Sequence, residues 1–252
     1  MKHIILTLVF VLTTSVAYAA GDTPKFDKQY WSFDGITGTY DREQLQKGFQ
    51  VYREVCAACH SMDRIHYRNL SALGYSPEQI KAVASEYTVT DGPNDEGDMF
   101  ERPAILADPF KNPFDNDKAA RYANNGAHPP DLSLIVKARK DGANYVYALL
   151  TGYSEPKHGV ELGPNMHYNE VYPGHQIAMA QPISDGQVFW SDGNEATVEE
   201  AAYAVTNFLA WASRPELEAR KRMGIQVVLF LIVFAGIMYK VKRKIWADVK
   251  GK

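Results

Sequence analysis

Cysteine is almost absent from this chain: 252 residues contain two, Cys56 and Cys59. There is no second cysteine pair, and no His-x3–5-His pair follows at finger spacing. A four-ligand structural zinc site therefore lacks its donors. Two thiols also exclude a disulfide-stapled scaffold, so the fold must rest on a hydrophobic core, which a domain of about 200 residues can supply. No internal repeat, low-complexity tract or Gly/Ser linker divides the chain. A Ser–His–Asp arrangement, a phosphate-binding loop and a metalloprotease helix are all missing, which leaves a hydrolase without machinery. Basic residues are scarce between positions 20 and 219, with 17 Lys and Arg against 29 Asp and Glu, a net charge of −12. Such a domain repels nucleic acid and favours a cationic partner.

Long apolar runs occur only at the two ends. Residues 1–19 pass from Lys2 and His3 through "IILTLVFVLTTSV" to Ala17-Tyr18-Ala19, the pattern of a secretory signal peptide cleaved before Ala20. The second run, 223–239, is 17 residues without a charge. As a helix it reaches about 25 Å, slightly short of a hydrocarbon core of about 30 Å. Arg220, Lys221 and Arg222 precede it, and Lys240, Lys242, Arg243 and Lys244 follow. Such side chains can snorkel to the headgroups and make up the difference. The expectation is an exported domain over 20–219, a membrane anchor over 220–244 and a cytoplasmic tail over 245–252. The basic tail agrees with the positive-inside rule, but the triplet at 220–222 weakens the asymmetry, so orientation rests mainly on the signal.

Both cysteines fall in "VCAACHSM", residues 55–62. A thioredoxin-like redox pair would follow a strand. The preceding "DREQLQKGFQVYREVCAACH" instead reads as helix, with Asp41 as cap, Gln44 three residues on, and Leu45, Phe49, Tyr52, Cys56 and Cys59 along one face. Cys56, Cys59 and His60 then project together. Two thiols can add to the two vinyl groups of one haem while the adjacent imidazole becomes an axial ligand, the C-x-x-C-H signature of covalently attached haem c.

An electron-transfer haem needs a second axial ligand, commonly Met and less often His. Met1 lies in the signal, Met223 and Met238 bracket the span, and Met62 is too near His60 to reach the opposite haem face. Met99 sits in a charged loop, Met166 in polar "GPNMHYNE" and Met179 in "GHQIAMAQPI". Small apolar neighbours let backbone approach a porphyrin and exclude water, which favours Met179 over Met166. Bis-histidine ligation stays open on these grounds.

The segments "FQVYREVCAACHSM", "DGPNDEGDMFERP", "ARYANNGAHPPDLSLIVKAR", "YVYALLTGY", "YPGHQIAMAQPI" and "RKRMG" closely resemble, in order, the cytochrome c1 family. The resemblance runs over nearly the whole mature chain. It implies a mainly α, class I cytochrome c-like haem domain with long loop insertions and one C-terminal transmembrane helix. It implies Met179 as sixth ligand, Arg139 and Tyr145 on the haem propionates, Asn124 and Pro130 lining the pocket, and Tyr52 as a further candidate for the propionate region. Without it, Arg139 beside Lys137 and Lys140 reads as part of a solvated helix face. His128 stands where such sequences usually carry an apolar residue, and it reads as a solvent-facing histidine.

The same resemblance implies an electron-carrying subunit, not catalytic alone, of a dimeric cytochrome bc1 complex in the cell inner membrane. Its haem domain would lie on the periplasmic side and its partners would be cytochrome b, the Rieske iron–sulfur protein and soluble cytochrome c. Asp91, Asp95, Glu96 and Asp98 are the acids most available to dock a cationic partner. A free-standing membrane-anchored cytochrome feeding a terminal oxidase shares the haem chemistry and is the alternative.

Further helices are expected over 117–126, 133–142 and 143–152, and from a Thr197/Glu200 capping box through residue 213 with Val205, Phe208, Leu209 and Ala212 inward. Pro215 suits the first turn of a final helix that continues through the membrane. Residues 88–116 and 153–196 read as ordered loops.

Overall fold

The computed structural model describes residues 26–247; the expected signal peptide at 1–19 and the last residues of the tail, 248–252, lie outside the described residues. Helix α1 (Arg42–Val51) starts where Asp41 accepts bonds from the Glu43 and Gln44 amides at 3.0 and 3.3 Å. It packs across α5 (Val198–Ser213), which opens on the expected capping box with both reciprocal Thr197/Glu200 bonds made. The expected inward face of α5, Val205, Phe208, Leu209 and Ala212, is buried. The helices meet at Gly48. A Cβ there would fall 2.1 Å from the Ala204 carbonyl oxygen, so only glycine permits this approach. Phe49 and Tyr52 each lie 5.7 Å from Phe208, and Phe110 closes over both from a loop.

Between these helices the chain lays down short elements. A 3-10 turn at Tyr67–Leu73 leads into α2 (Pro77–Ser85), which has Ser76 and Gln79 in a complete capping box and Pro77 in its first turn. The sequence reading passes over α2, although its capping signal is plain. Inside the expected loop 88–116, β1 (Thr88–Asp91) pairs antiparallel with β2 (Phe100–Pro103). Arg102 grips Asp91 from one side and Asp108 from the other. Asp91 is therefore engaged and not an available docking acid as expected; Asp95, Glu96 and Asp98 remain exposed at the hairpin tip.

Helix α3 (Asp117–Ala123) ends at Gly126, whose φ of 90° lets its amide reach back 2.7 Å to the Arg121 carbonyl. The helix expected over 133–142 is instead a series of turns. Its amides bond mostly three residues back, Ile135 to Leu132 O at 3.2 Å and Lys137 to Leu134 O at 3.0 Å, while the Ser133 hydroxyl accepts from the Arg64 amide at 3.1 Å. Asp141 then turns left-handed at φ 64° before α4 (Gly142–Thr151) begins. The long stretch 153–196 contains one small ladder, β3 (His167–Tyr168) with β4 (Gln176–Ile177).

The N-terminal segment crosses α4 and α5. Trp31 is 2% exposed, stacks on Tyr203 of α5 at 4.9 Å and donates from Nε1 to Asn144 of α4 at 3.0 Å. The Tyr40 hydroxyl donates to the Ala210 carbonyl, an acceptor orphaned at the end of α5, and lies 3.2 Å from the Arg214 carbonyl. Arg214 breaks the helix with φ −148° and ψ 61°. Pro215 falls in this break and not in the following helix, because α6 (Leu217–Ile245) opens at Glu216. Its 29 residues have no buried side chain, and it is the one helix among the described residues long and apolar enough to cross a membrane. The result is a mainly helical domain with two small ladders, carrying one C-terminal apolar helix.

Candidate functional site

The attachment turn grows out of α1. After Val51 the helix widens into a π turn, Tyr52–Cys56, with the Ala57 amide bonded to the Tyr52 carbonyl at 2.8 Å. It then tightens, the Cys59 and His60 amides both donating to the Cys56 carbonyl at 3.1 and 2.9 Å. Uniform α spacing, on which the sequence reading relied, thus holds only to residue 51. Single π turns interrupting α-helices are frequent at functional positions. Cys56 is half-buried, Cys59 is exposed, and neither is in a disulfide. Burial pushes the Cys56 thiol up to about 12, so it stays protonated while free.

His60 is held by a segment seventy residues away. Its Nδ1 lies 2.8 Å from the Pro130 carbonyl oxygen. A carbonyl only accepts, so Nδ1 carries the proton and Nε2 keeps its lone pair for a metal. Burial lowers the His60 pKa, which favours the neutral ligating form. The next residues lock the two segments together. Asp131 accepts from the Asp63 amide at 2.7 Å, the Ser61 hydroxyl at 3.1 Å and the Ser133 amide at 2.9 Å, and the Leu132 amide donates to Ser61 O at 2.9 Å. Asp131 is a positioning residue that sequence reasoning missed. Its signal was an Asp after Pro-Pro and two before Ser, the pattern of an Asx turn.

Tyr52 is buried in the core at 2% exposure, and its hydroxyl bonds the His60 carbonyl at 3.3 Å. That bond ties it to the attachment turn. Arg139 and Tyr145 do come together at the start of α4. Burial raises the Tyr145 hydroxyl, and the adjacent Arg139 guanidinium partly offsets this through charge and a hydrogen bond. Arg139 is exposed, so its remaining donors face outward. Asn124 caps α3, its amide donating to the Ala120 carbonyl at 2.7 Å. His128 is exposed as expected, yet its Nε2 lies 3.3 Å from Asp117 Oδ1.

Met179 is half-buried and its backbone is pinned: the Tyr153 hydroxyl donates to the Met179 carbonyl at 3.0 Å. Asn169, fully buried, ties the same loop to α4 by donating to Leu149 O at 2.8 Å, while its carbonyl oxygen collects the Val171 and Tyr172 amides. Neither Tyr153 nor Asn169 was expected from the sequence. Of the other candidate ligands, Met62 is fully buried in the core and Met99 is 61% exposed. The donor set fits a covalently held haem: two unpaired thiols and one imidazole with a free Nε2 share a single turn.

Comparison with known proteins agrees. Residues 31–249 match the Cytochrome C1 family. Cytochrome c1 of Rhodospirillum rubrum is 48% identical, covering 88% of each chain. A mitochondrial cytochrome c1 heme protein of Arabidopsis thaliana is 47% identical over 88% of this chain and 72% of its own. A cytochrome b/c1 of Bradyrhizobium diazoefficiens is 48% identical over 92% of this chain, which spans only 37% of that longer protein. A matching motif order, a fitting donor set and near full-length similarity lead to one assignment: this chain belongs to the cytochrome c1 family, haem-carrying proteins of electron transport.

Proposed function

We propose that this chain is the electron-transfer subunit of a cytochrome bc1 complex, taking electrons from a Rieske iron–sulfur protein and passing them to a soluble cytochrome c. Cys56 and Cys59 would hold one haem c through their thiols, and His60 and Met179 would supply nitrogen and sulfur to its iron. Bound there, that haem supplies a one-electron couple. The observation carrying the reading is the His60 Nδ1 bond to Pro130, which fixes the tautomer a haem iron requires.

The remaining residues hold, orient and shield. Asp131 fastens the ligand turn to the loop 130–133, so the imidazole keeps one direction through a change of charge nearby. Tyr153 holds the Met179 backbone. Arg139 and Tyr145, which lie beside each other, would donate to the two carboxylates of the group, and Asn124 and Pro130 would line its pocket. Because the Pro130, Asp131 and Tyr153 bonds exist in the protein alone, little structure must reorganise when an electron arrives.

The exported domain, net −12 over 20–219, favours a basic cytochrome c, with Asp95, Glu96 and Asp98 as exposed docking acids. A relative named for both cytochrome b and c1 supports cytochrome b as the membrane neighbour. The domain would face the periplasm, with the tail after residue 239 in the cytoplasm.

The test is an optical spectrum of purified protein, wild type against Met179→Leu, with and without carbon monoxide, and mass spectrometry of the mature polypeptide. The expected result is a haem retained after denaturation in both, with carbon monoxide binding readily only to reduced Met179→Leu. A polypeptide mass without haem would end this reading.

A further inference from the structure

Lys221 stands two residues before the uncharged run 223–239, and its ammonium is occupied by protein. It donates to the Phe33 carbonyl at 2.6 Å and to the Gly38 carbonyl at 2.9 Å. These carbonyls flank a tight loop that also closes on itself, the Thr39 amide donating to Ser32 O at 3.0 Å. A Cβ at Gly38 would fall 1.9 Å from Asp34 O, so the closure admits only glycine. Buried Trp31 and Phe33, stacked at 5.6 Å, seat the loop on the domain. At its tip Ile36 is 77% exposed. Exposure of one apolar side chain is ordinary; the position of this one is not.

The uncharged run of 17 residues reaches about 25 Å against a hydrocarbon core of about 30 Å. Shared between both ends, the deficit of about 5 Å sets each boundary roughly two residues beyond the run, at Lys221 on this side. A lysine at that depth ordinarily snorkels into water. Here its ammonium points at loop carbonyls instead, so the loop occupies the headgroup layer, about 5–7 Å thick, where the ammonium would otherwise reside. One turn nearer the domain, Glu218 is gripped by both Arg42 guanidinium nitrogens at 3.1 and 2.7 Å and by the Tyr40 amide at 2.7 Å. The helix base is thereby fixed against the same N-terminal segment.

We propose that the loop 33–38 is a second membrane contact of this chain, with Ile36 entering the headgroup–acyl boundary of a phospholipid bilayer beside α6. Lys221 ties the loop to the base of the span, and exposed Asp34 limits the depth to the headgroup layer. A single helix leaves a domain free to swing, whereas two contacts set its tilt. The inference rests on α6 spanning the membrane and is independent of the haem assignment.

The full chain is reconstituted in phosphatidylcholine vesicles with a nitroxide at Ile36→Cys. Collision with oxygen, which concentrates among acyl chains, is compared with collision with a water-soluble nickel chelate. Glu96→Cys at the hairpin tip and Val228→Cys in mid-span give the aqueous and hydrocarbon references, with the labelled unsubstituted chain as blank. The expected oxygen-to-nickel ratio at 36 lies between the references and moves towards that of Glu96→Cys when Lys221→Met releases the loop. A ratio equal to that of Glu96→Cys overturns the proposal. So does access to neither collider, which marks a protein cover, or a depth unchanged by Lys221→Met. An aqueous label at 228 would instead remove the span itself, and the loop contact with it.

Discussion

The Tyr153 hydroxyl makes one bond, to the Met179 carbonyl at 3.0 Å, and the ring is half-buried. Burial raises its pKa, so at any ordinary pH the group is a neutral donor. Tyr153→Phe removes that donor and leaves the ring in place. A neutral hydrogen bond contributes about 1 kcal/mol net, and a buried carbonyl left unsatisfied costs about 1–3 kcal/mol. Half-burial puts this site near the lower end, at about 1.5 kcal/mol. If the bond holds Met179 in its ligating position, that energy shifts the balance towards a detached thioether by about tenfold. Carbon monoxide competes with the thioether for the reduced iron, so its apparent affinity should rise by the same factor. Tyr203→Phe, which deletes a hydroxyl bonded to Tyr30 O, controls for the loss of any one tyrosine hydroxyl. Met179→Leu sets the upper limit. Should Tyr153→Phe bind carbon monoxide like wild type while Met179→Leu binds it strongly, Tyr153 does not position the ligand.

Gly48→Ala drives a methyl into the Ala204 carbonyl and within 2.7 Å of Phe208 Cβ, so the α1–α5 packing should lose about 3 kcal/mol or more, read as a fall in thermal midpoint and in recovered haem protein. Asp131→Ala removes three acceptor bonds around the ligand turn and should cost about 3 kcal/mol, with Asp131→Asn recovering part of it; equal midpoints for wild type and Ala would refute the role. Asp91 and Asp108 are held below the usual carboxylate range by Arg102, so the stability they lend the hairpin is present above the unfolded value of about 3.9 and is lost as pH falls through their lower folded values. Protease sensitivity of residues 88–103 should therefore rise at acid pH in wild type, and Arg102→Met should abolish that dependence. Reduction of a basic cytochrome c should slow with added salt, and Asp95→Asn with Glu96→Gln and Asp98→Asn should slow it at low salt.

Much of the site was legible because its chemistry is local. Two thiols and an imidazole within five residues need no tertiary structure to meet on one turn, and the Asp41 and Thr197 caps act within a few residues of themselves. The inward face of α5 followed from periodicity. The turns at 133–142 did not, because the left-handed backbone at Asp141 and the bond from the Arg64 amide, 69 residues earlier, leave no mark on that segment's periodicity. Asp91 read as a free acid because Arg102, which claims it, lies 11 residues on, across a hairpin. Likewise Lys221 read as one of three headgroup cations, since nothing in its neighbourhood names Phe33 or Gly38 as its acceptors.

The sequence by itself determined which atoms could bind a haem, where α1 and α5 start, and which run is apolar enough to span a bilayer. These properties depend on covalent spacing, on neighbours within a turn and on composition. Only the tertiary structure decided which nitrogen of His60 is left for a metal, what pins the Met179 backbone, and how α6 is clamped to the domain. Each of those depends on a donor or acceptor brought from 26 to 188 residues away, and packing of the whole chain, not local propensity, selects such partners.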